Sequence, residues 1–290
     1  MDVLFIGNGI NNIKMSYNWE DLLRDLILDL KISAPNNLKE KPFPLLYEEI
    51  FLNSVRQNGN NENIIKEIIR TKITQLKPNA IHQQIANTNY EHIITTNYDY
   101  ILHNALGIIE ADIKNIGLSK ESKYSIFRHN ILKSTKVWQI HGEINNLNSV
   151  TLGYEHYGGH IQHIKNYIEK GFASEKTKIE PISKRIENKI KFSNEAHSWI
   201  DLFLSRNIHF LGLTLDFIET DIWWLITHRA RKRLYDANYR NNKLIYYCPE
   251  KYHSKSSAKF ELLEANDVEV KFYEIDHTIE YYEKVLSQKD

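Results

Sequence analysis

The stretch "EHIITTNYDYIL" (residues 91–102) decides how the fold is read: an apolar run through Ile93 and Ile94, with Thr95 and Thr96, stops abruptly in Asn97-Tyr98-Asp99. A short β-branched run of this kind reads as a strand. A purely structural turn after it would favour Gly or Pro, and neither occurs between Pro78 and Gly107. The polar cluster therefore needs another explanation.

The same kind of run recurs along the chain. Val3 to Ile6, His92 to Thr95, Lys136 to Ile140, Ile208 to Leu211, Lys243 to Tyr247 and Val268 to Tyr273 are all short and apolar. The first four lack clean alternation, as strands buried on both faces of a parallel sheet do. Helical patterns lie between them. "WEDLLRDLILDL" (19–30) places apolar residues at 19, 22, 23, 26, 27 and 30, with Ser16 or Asn18 available as N-cap. Residues 63–76 and 220–234 repeat the helical spacing. Strands alternating with helices imply right-handed crossovers and a doubly wound, Rossmann-like α/β fold with a mostly parallel sheet. Residues 153–205 are long for a simple crossover. They are expected to form a helical insertion, a lid or small subdomain, inside a single domain spanning 1–290.

The totals narrow the function. A 290-residue chain with 42% hydrophobic content can bury a sizeable core. Lys+Arg and Asp+Glu both number 37, so no global basic field exists to hold nucleic acid. The single cysteine, Cys248, excludes an intramolecular disulfide and any four-cysteine zinc site. No apolar run approaches the length of a membrane span, and the N-terminus enters "VLFIGNG" without a leader pattern. A soluble, cytoplasmic protein is the expectation.

Three further motifs sit at strand ends. "FIGNGINN" (5–12) carries Gly7-Asn8-Gly9 directly after the first strand. Two glycines let backbone N–H groups approach a phosphate, and a following helix N-terminus would add a favourable dipole. The full dinucleotide fingerprint is absent because residue 12 is Asn, so this motif alone reads either as a tight structural turn or as a dinucleotide site. "VWQIHGEI" (137–144) ends a strand in His141-Gly142, and imidazole is the side chain best suited to proton transfer near neutrality. "FLGLTLDFIETDIWWLI" (210–226) breaks at Gly212, after which Thr214 and Asp216 or Asp221 precede an apolar helix. Asp221 reads there as an N-cap. In an open α/β sheet, ligands bind outside the C-terminal strand ends, so these polar residues converge on one site.

Taken together, G-N-G, T-T-N-Y-D, H-G and G-L-T-L with a following acid stand in the order of the sirtuin-like domains, which the chain resembles over roughly residues 2–250. The likeness is to the bacterial sirtuin-like domains that degrade NAD in anti-phage defence, in which a segment like "VTLGYEHY" (150–157) follows the catalytic strand. Two departures separate the chain from deacylating sirtuins. It has neither the paired cysteines of their zinc ribbon nor their G-I-P-D-F-R loop.

The resemblance implies an NAD glycohydrolase, acting as the effector of a defence system, with Asn97 and His141 as its catalytic residues. Asn97 would hold the nicotinamide ribose and a water, and His141 would accept a proton from a ribose hydroxyl or from that water. The implied NAD contacts are Gly7, Asn8, Gly9, Asn11 and Thr96, together with Gly212, Thr214 and Asp216. Asp99 belongs to the same set, chiefly as a brace for the Asn97 loop, and Glu250 or Tyr247 would lie near the adenosine. No metal is expected. Because an unregulated NAD hydrolase is toxic, gating by homo-oligomerisation, a partner protein or a small-molecule signal is expected. A non-catalytic NAD or ADP-ribose sensor and a protein deacylase are the rival readings.

Other clusters invite blander readings. His156, His160 and His163 lack the convergent carboxylates of a metal site and read as lid histidines near substrate or solvent. The basic run "HRARKR" (228–233) closes a predicted helix, where cations are commonly found. Cys248 reads as a small buried hydrophobe.

Overall fold

The computed structural model describes residues 2–13, 19–118, 123–188, 192, 194–239 and 242–287. Ser16 and Asn18, the two expected caps, lie outside the described residues.

The sheet is built from β1 (Asp2–Ile6), β2 (His92–Thr95), β3 (Asn130–Leu132), β4 (Thr135–Gln139), β7 (Asn207–Leu211), β8 (Leu244–Pro249) and β9 (Val268–Tyr273); β5 (Phe172–Ala173) and β6 (Lys178–Ile179) form a separate hairpin. The spatial order is β3-β4-β2-β1-β7-β8-β9, and only β3 runs antiparallel, folded back on β4 at the edge. Setting β3 aside, the six parallel strands stand in the order third, second, first, fourth, fifth, sixth, which is the doubly wound order of dinucleotide-binding folds. The sequence reading of the fold class is thus what the structure shows.

Register aligns the strand ends. Ile6 pairs with Thr95 on one side and Leu211 on the other, and Thr95 pairs with Gln139. The residues that follow, Gly7, Thr96, Ile140 and Gly212, therefore emerge side by side at one edge. The direction of winding reverses between β1 and β7, which is where such folds leave a crevice.

Each face of the sheet carries its own core. Val3, Phe5, Ile94, Trp138, Ile208 and Phe210 point to one face, while Leu4, Ile6, Ile93, Val137 and Leu211 point to the other. The alternation of side chains along each strand produces this division. The 153–205 stretch packs on the first face: Ile164, Tyr167 and Ile168 of the helix Tyr154–Lys170 join Trp199 and Phe203 of the helix Trp199–Ser205 in one apolar cluster with Val3 and Phe5.

A third core was not anticipated from the sequence. The helices Trp19–Leu30, Phe43–Asn58 and Glu62–Ile73, all inserted between β1 and β2, bury Leu26, Ile50, Ile65 and Ile69 against Tyr98, Tyr100 and Leu152. This helical lobe stands over the strand ends and contributes Trp19 and Phe43 to the crevice wall.

Candidate active site

The crevice is a cavity of about 460 Å³ at the β1/β7 switch point. Its floor is made by two loops in direct contact. Gly7 N–H donates to Leu211 O at 3.1 Å, and Gly9 N–H donates to Gly212 O at 2.8 Å. A Cβ at Gly9 would stand 2.7 Å from that same oxygen, and Gly212 has a φ of +68°, so side chains are excluded at both positions by packing and by backbone conformation. The turn after β1 is a short 3-10 segment, Asn8–Ile10.

Of the residues singled out from the sequence, Gly7, Asn8, Gly9, Thr96, Asn97, His141, Gly212, Thr214 and Asp216 line this cavity. Asn97 is buried on the floor, with its N–H donating to Thr95 Oγ1 at 3.0 Å. Thr214 and Asp216 lie at the exposed rim. Tyr98 also lines the cavity, while its hydroxyl donates to Thr151 O at 2.6 Å.

Three expected contacts are placed elsewhere. Asn11 lies beneath the floor: its Nδ2 donates to Asn8 Oδ1 and to Asp99 Oδ2, and its Oδ1 faces His82 Nε2 at 2.8 Å. Asp99 is held there too, with Oδ1 accepting from Ile101 N–H at 3.0 Å. Burial raises its pKa, only partly offset by these donors. Both side chains brace the Asn97 loop from behind. Glu250 is exposed, because the chain leaves the sheet at Pro249 and turns outward through Glu250–Tyr252. Tyr247, the alternative to Glu250, does line the cavity.

His141 is the centre of a buried relay. Its Nε2 lies 2.8 Å from Asp221 Oδ2, and His160 Nδ1 lies 2.7 Å from the same oxygen. Asp221 and His160 are fully buried. Burial alone would raise the Asp221 carboxyl, yet the charge of His141 and the hydrogen bonds from both imidazoles hold it far below the usual carboxylate range. An ionised carboxylate only accepts, so His141 carries its proton on Nε2 and His160 on Nδ1. The lone pair of neutral His141 is thereby fixed on Nδ1. Burial would lower the His141 pKa, but the Asp221 charge and hydrogen bond overcome it and raise the pKa, making this ring the stronger base. His160 goes the other way: burial lowers its pKa more than Asp221 restores it, so it stays neutral.

Asp221 is not at the N-cap position, which Glu219 occupies without a side-chain cap hydrogen bond, but its Oδ1 does accept from a first-turn N–H, that of Ile222, at 2.9 Å, while Oδ2 takes both imidazoles. Nor is His160 a lid residue at substrate or solvent. The ligand atoms of His141, His160 and Asp221 lie within 4.8 Å of one another, the composition of a cation site. Here one carboxylate oxygen takes both N–H donors directly, so the cluster is assembled as a hydrogen-bonded relay. His156 is likewise structural, its Nε2 2.7 Å from Glu62 Oε1.

The cavity also holds groups the sequence reading passed over. Lys259 is its sole lysine or arginine among the described residues, with Nζ donating to Thr214 O at 2.7 Å. Glu219 lines the wall. Tyr157 stands edge-on to the His141 ring at 5.4 Å. Cys248 reaches the wall as well, but burial pushes its thiol up to about 11, which suits packing and not nucleophilic attack. The basic run is partly consumed by the fold: Arg229 is buried, donating to Asn242 Oδ1 and O, and Arg233 pairs with Asp267.

Residues 91–216 match the SIR2-like domain family. The SIR2-like segment runs from β2 through the loop after β7, so it contains Thr96, Asn97, His141, Gly212 and Thr214 but neither the β1 glycines nor Asp221. Domains of this family bind NAD and are commonly NAD-dependent enzymes, so the match suggests NAD-related activity. No curated protein matches the chain.

Proposed function

We propose that the protein is an NAD glycohydrolase that cleaves the nicotinamide–ribose bond to give nicotinamide and ADP-ribose. The observation that carries this reading is the convergence of Asn97 and the Asp221-held His141 in one cavity, beside the two glycine loops at the switch point. Those loops offer close backbone approach to a diphosphate, with Lys259 as the nearby cation. A sensor would need the loops but not a polarised imidazole. A deacylase of the zinc-ribbon type would need cysteines that a chain with Cys248 alone does not have.

Cleavage develops positive charge at the ribose C1′, as in other glycosyl transfers, and the pyridinium leaves neutral without a general acid. The Asn97 amide, able to donate and accept at once, would orient the ribose and a water. His141 would take a proton through Nδ1. We further propose a cytoplasmic role as the NAD-depleting effector of a bacterial anti-phage system, gated by self-assembly or a partner protein; among the described residues no helix is long and apolar enough to cross a membrane.

Incubation of the purified protein with NAD, with chromatography for nicotinamide, tests the reading. Nicotinamide release is expected, and Asn97→Ala and His141→Ala should each lower it about 10²-fold or more while the protein stays folded. Tight NAD binding without release, under every condition of assembly, would point to a sensor. Release that depends on an acyl-lysine peptide would point to a deacylase.

A further inference from the structure

Among the described residues, two acids line the cavity outside the relay: Asp216 lies at the exposed rim, and Glu219 has a buried oxygen that the fold does not employ. Glu219 sits on the wall shared with Asn97 and His141, two residues ahead of Asp221, so the same helix start that fixes the relay also fixes this side chain. Its backbone is pinned on both sides: Glu219 N–H donates to Asp216 O at 3.0 Å, and Trp223 N–H donates to Glu219 O at 3.0 Å. Its carboxylate Oε2 is buried and has no hydrogen-bond partner, and the side chain does not cap the helix it precedes. Leaving a buried carboxylate oxygen unsatisfied costs free energy that a structural role would recover through a partner. An acid kept in this state inside a cavity is a candidate for chemistry.

We infer that Glu219 is a second catalytic group of this cavity, the base that deprotonates the water attacking C1′; this rests on the glycohydrolase reading above. In the step, the C1′–N bond breaks and its electron pair goes to the pyridine nitrogen, releasing neutral nicotinamide. The water oxygen forms the new C1′–O bond, its proton passes to the Glu219 carboxylate, and that proton is later released to solvent. NAD and water thus give nicotinamide, ADP-ribose and a proton. His141 is then left to the ribose hydroxyl, a division of labour that a single imidazole tied to Asp221 does not provide.

The surroundings tune the group for this. Burial raises its pKa; the His141 and Lys259 charges oppose the rise, Asp221 and Asp216 add to it, and the result is about 7. The aromatic hydroxyls of Tyr98, Tyr157 and Tyr246 share its electrostatic neighbourhood and are themselves held neutral by burial. A base of that strength is matched to neutral pH.

The test follows wild-type protein, Glu219→Gln and Glu219→Asp in two assays: nicotinamide release across the neutral pH range, and exchange of labelled nicotinamide into NAD, which needs bond cleavage but no water activation. Glu219→Gln should lower hydrolysis about 10²-fold or more and remove one proton-dependent step from the pH profile. It should retain exchange, and Glu219→Asp should recover part of the hydrolysis. Hydrolysis by Glu219→Gln at the wild-type rate and with the wild-type pH profile would overturn the assignment alone. So would an equal loss of hydrolysis and exchange, which marks a structural residue. Wild-type protein that binds NAD and releases no nicotinamide would overturn the glycohydrolase reading and this inference with it.

Discussion

At the scale of the residue, Asp221 determines what His141 can do. A carboxylate on Nε2 fixes the tautomer, orients the ring and raises its basicity, so the reactive lone pair lies on Nδ1. Asp221→Asn keeps the shape but replaces an obligate acceptor with an amide that also donates. Nicotinamide release should fall about 10²-fold or more. The pH profile carries the sign: His141 must be neutral to accept a proton, and Asp221 raises its pKa, so activity falls as pH drops through that raised value. In the variant this acid limb should move to lower pH; an unmoved limb would show that Asp221 does not tune the ring. None of this was legible in the sequence. An acid at the start of a helix looks the same whether it serves only backbone N–H groups or, as here, receives two histidines as well, and His141, His160 and Asp221 are separated by 61 and 80 residues in their pairings. Asn97 and His141 were legible because each directly interrupts an apolar strand.

At the scale of the element, the site is a consequence of register. With Ile6, Thr95, Leu211 and Gln139 level with one another, the polar residues just beyond them must meet. Strand existence could be read from buried β-branched runs, and hence so could the doubly wound fold. The lobe of residues 19–73 could be read only in part: the spacing at 19–30 and 63–76 shows its outer helices, but the middle helix, Phe43–Asn58, begins around Pro42 and Pro44 and carries a weak periodic signal. Phe43 was missed as a cavity wall for that reason, and Trp19 because it reads only as part of the apolar stripe of residues 19–30. The Gly7-Asn8-Gly9 motif reads from sequence as either a turn or a nucleotide site, and the contact between Gly9 and Gly212 shows that the turn requirement holds by itself. Gly9→Ala drives a Cβ to within 2.7 Å of Gly212 O and 2.9 Å of its Cα, both backbone atoms with little room to give. The variant should lose about 1–3 kcal/mol of stability, as overpacked sites do, with a larger proportional loss of NAD affinity. Chemical denaturation and equilibrium binding measure the two; unchanged values for both would mean that the loops are not locked together as described.

At the scale of the whole molecule, the pH response is set by histidines buried as neutral structural groups. Burial lowers His82 to about 4, His92 to about 3 and His103 to about 4. His82 props the floor through Asn11, and His92 accepts from Trp138 Nε1 inside β2. In the unfolded chain each binds a proton near the ordinary histidine value, whereas the folded protein resists protonation until far lower pH. Stability is therefore full above that ordinary value and is lost as pH falls toward about 4, because the unfolded state binds more protons. Asp221, with its folded pKa depressed, adds a loss in the same direction at still lower pH. Two cavity groups run the opposite way: Glu219 and His141 have raised folded pKa values, so their contributions fade as pH rises through those values. The three structural histidines outnumber them on the acid side. Acidification from about pH 7.5 to about pH 5 should cost about 1–2 kcal/mol per buried histidine, read as a fall in the urea midpoint at constant slope. A midpoint that stays level or rises on acidification would show that these rings are not buried neutral, and with them would go the account of how the Asn11–Asp99 floor beneath the cavity is held.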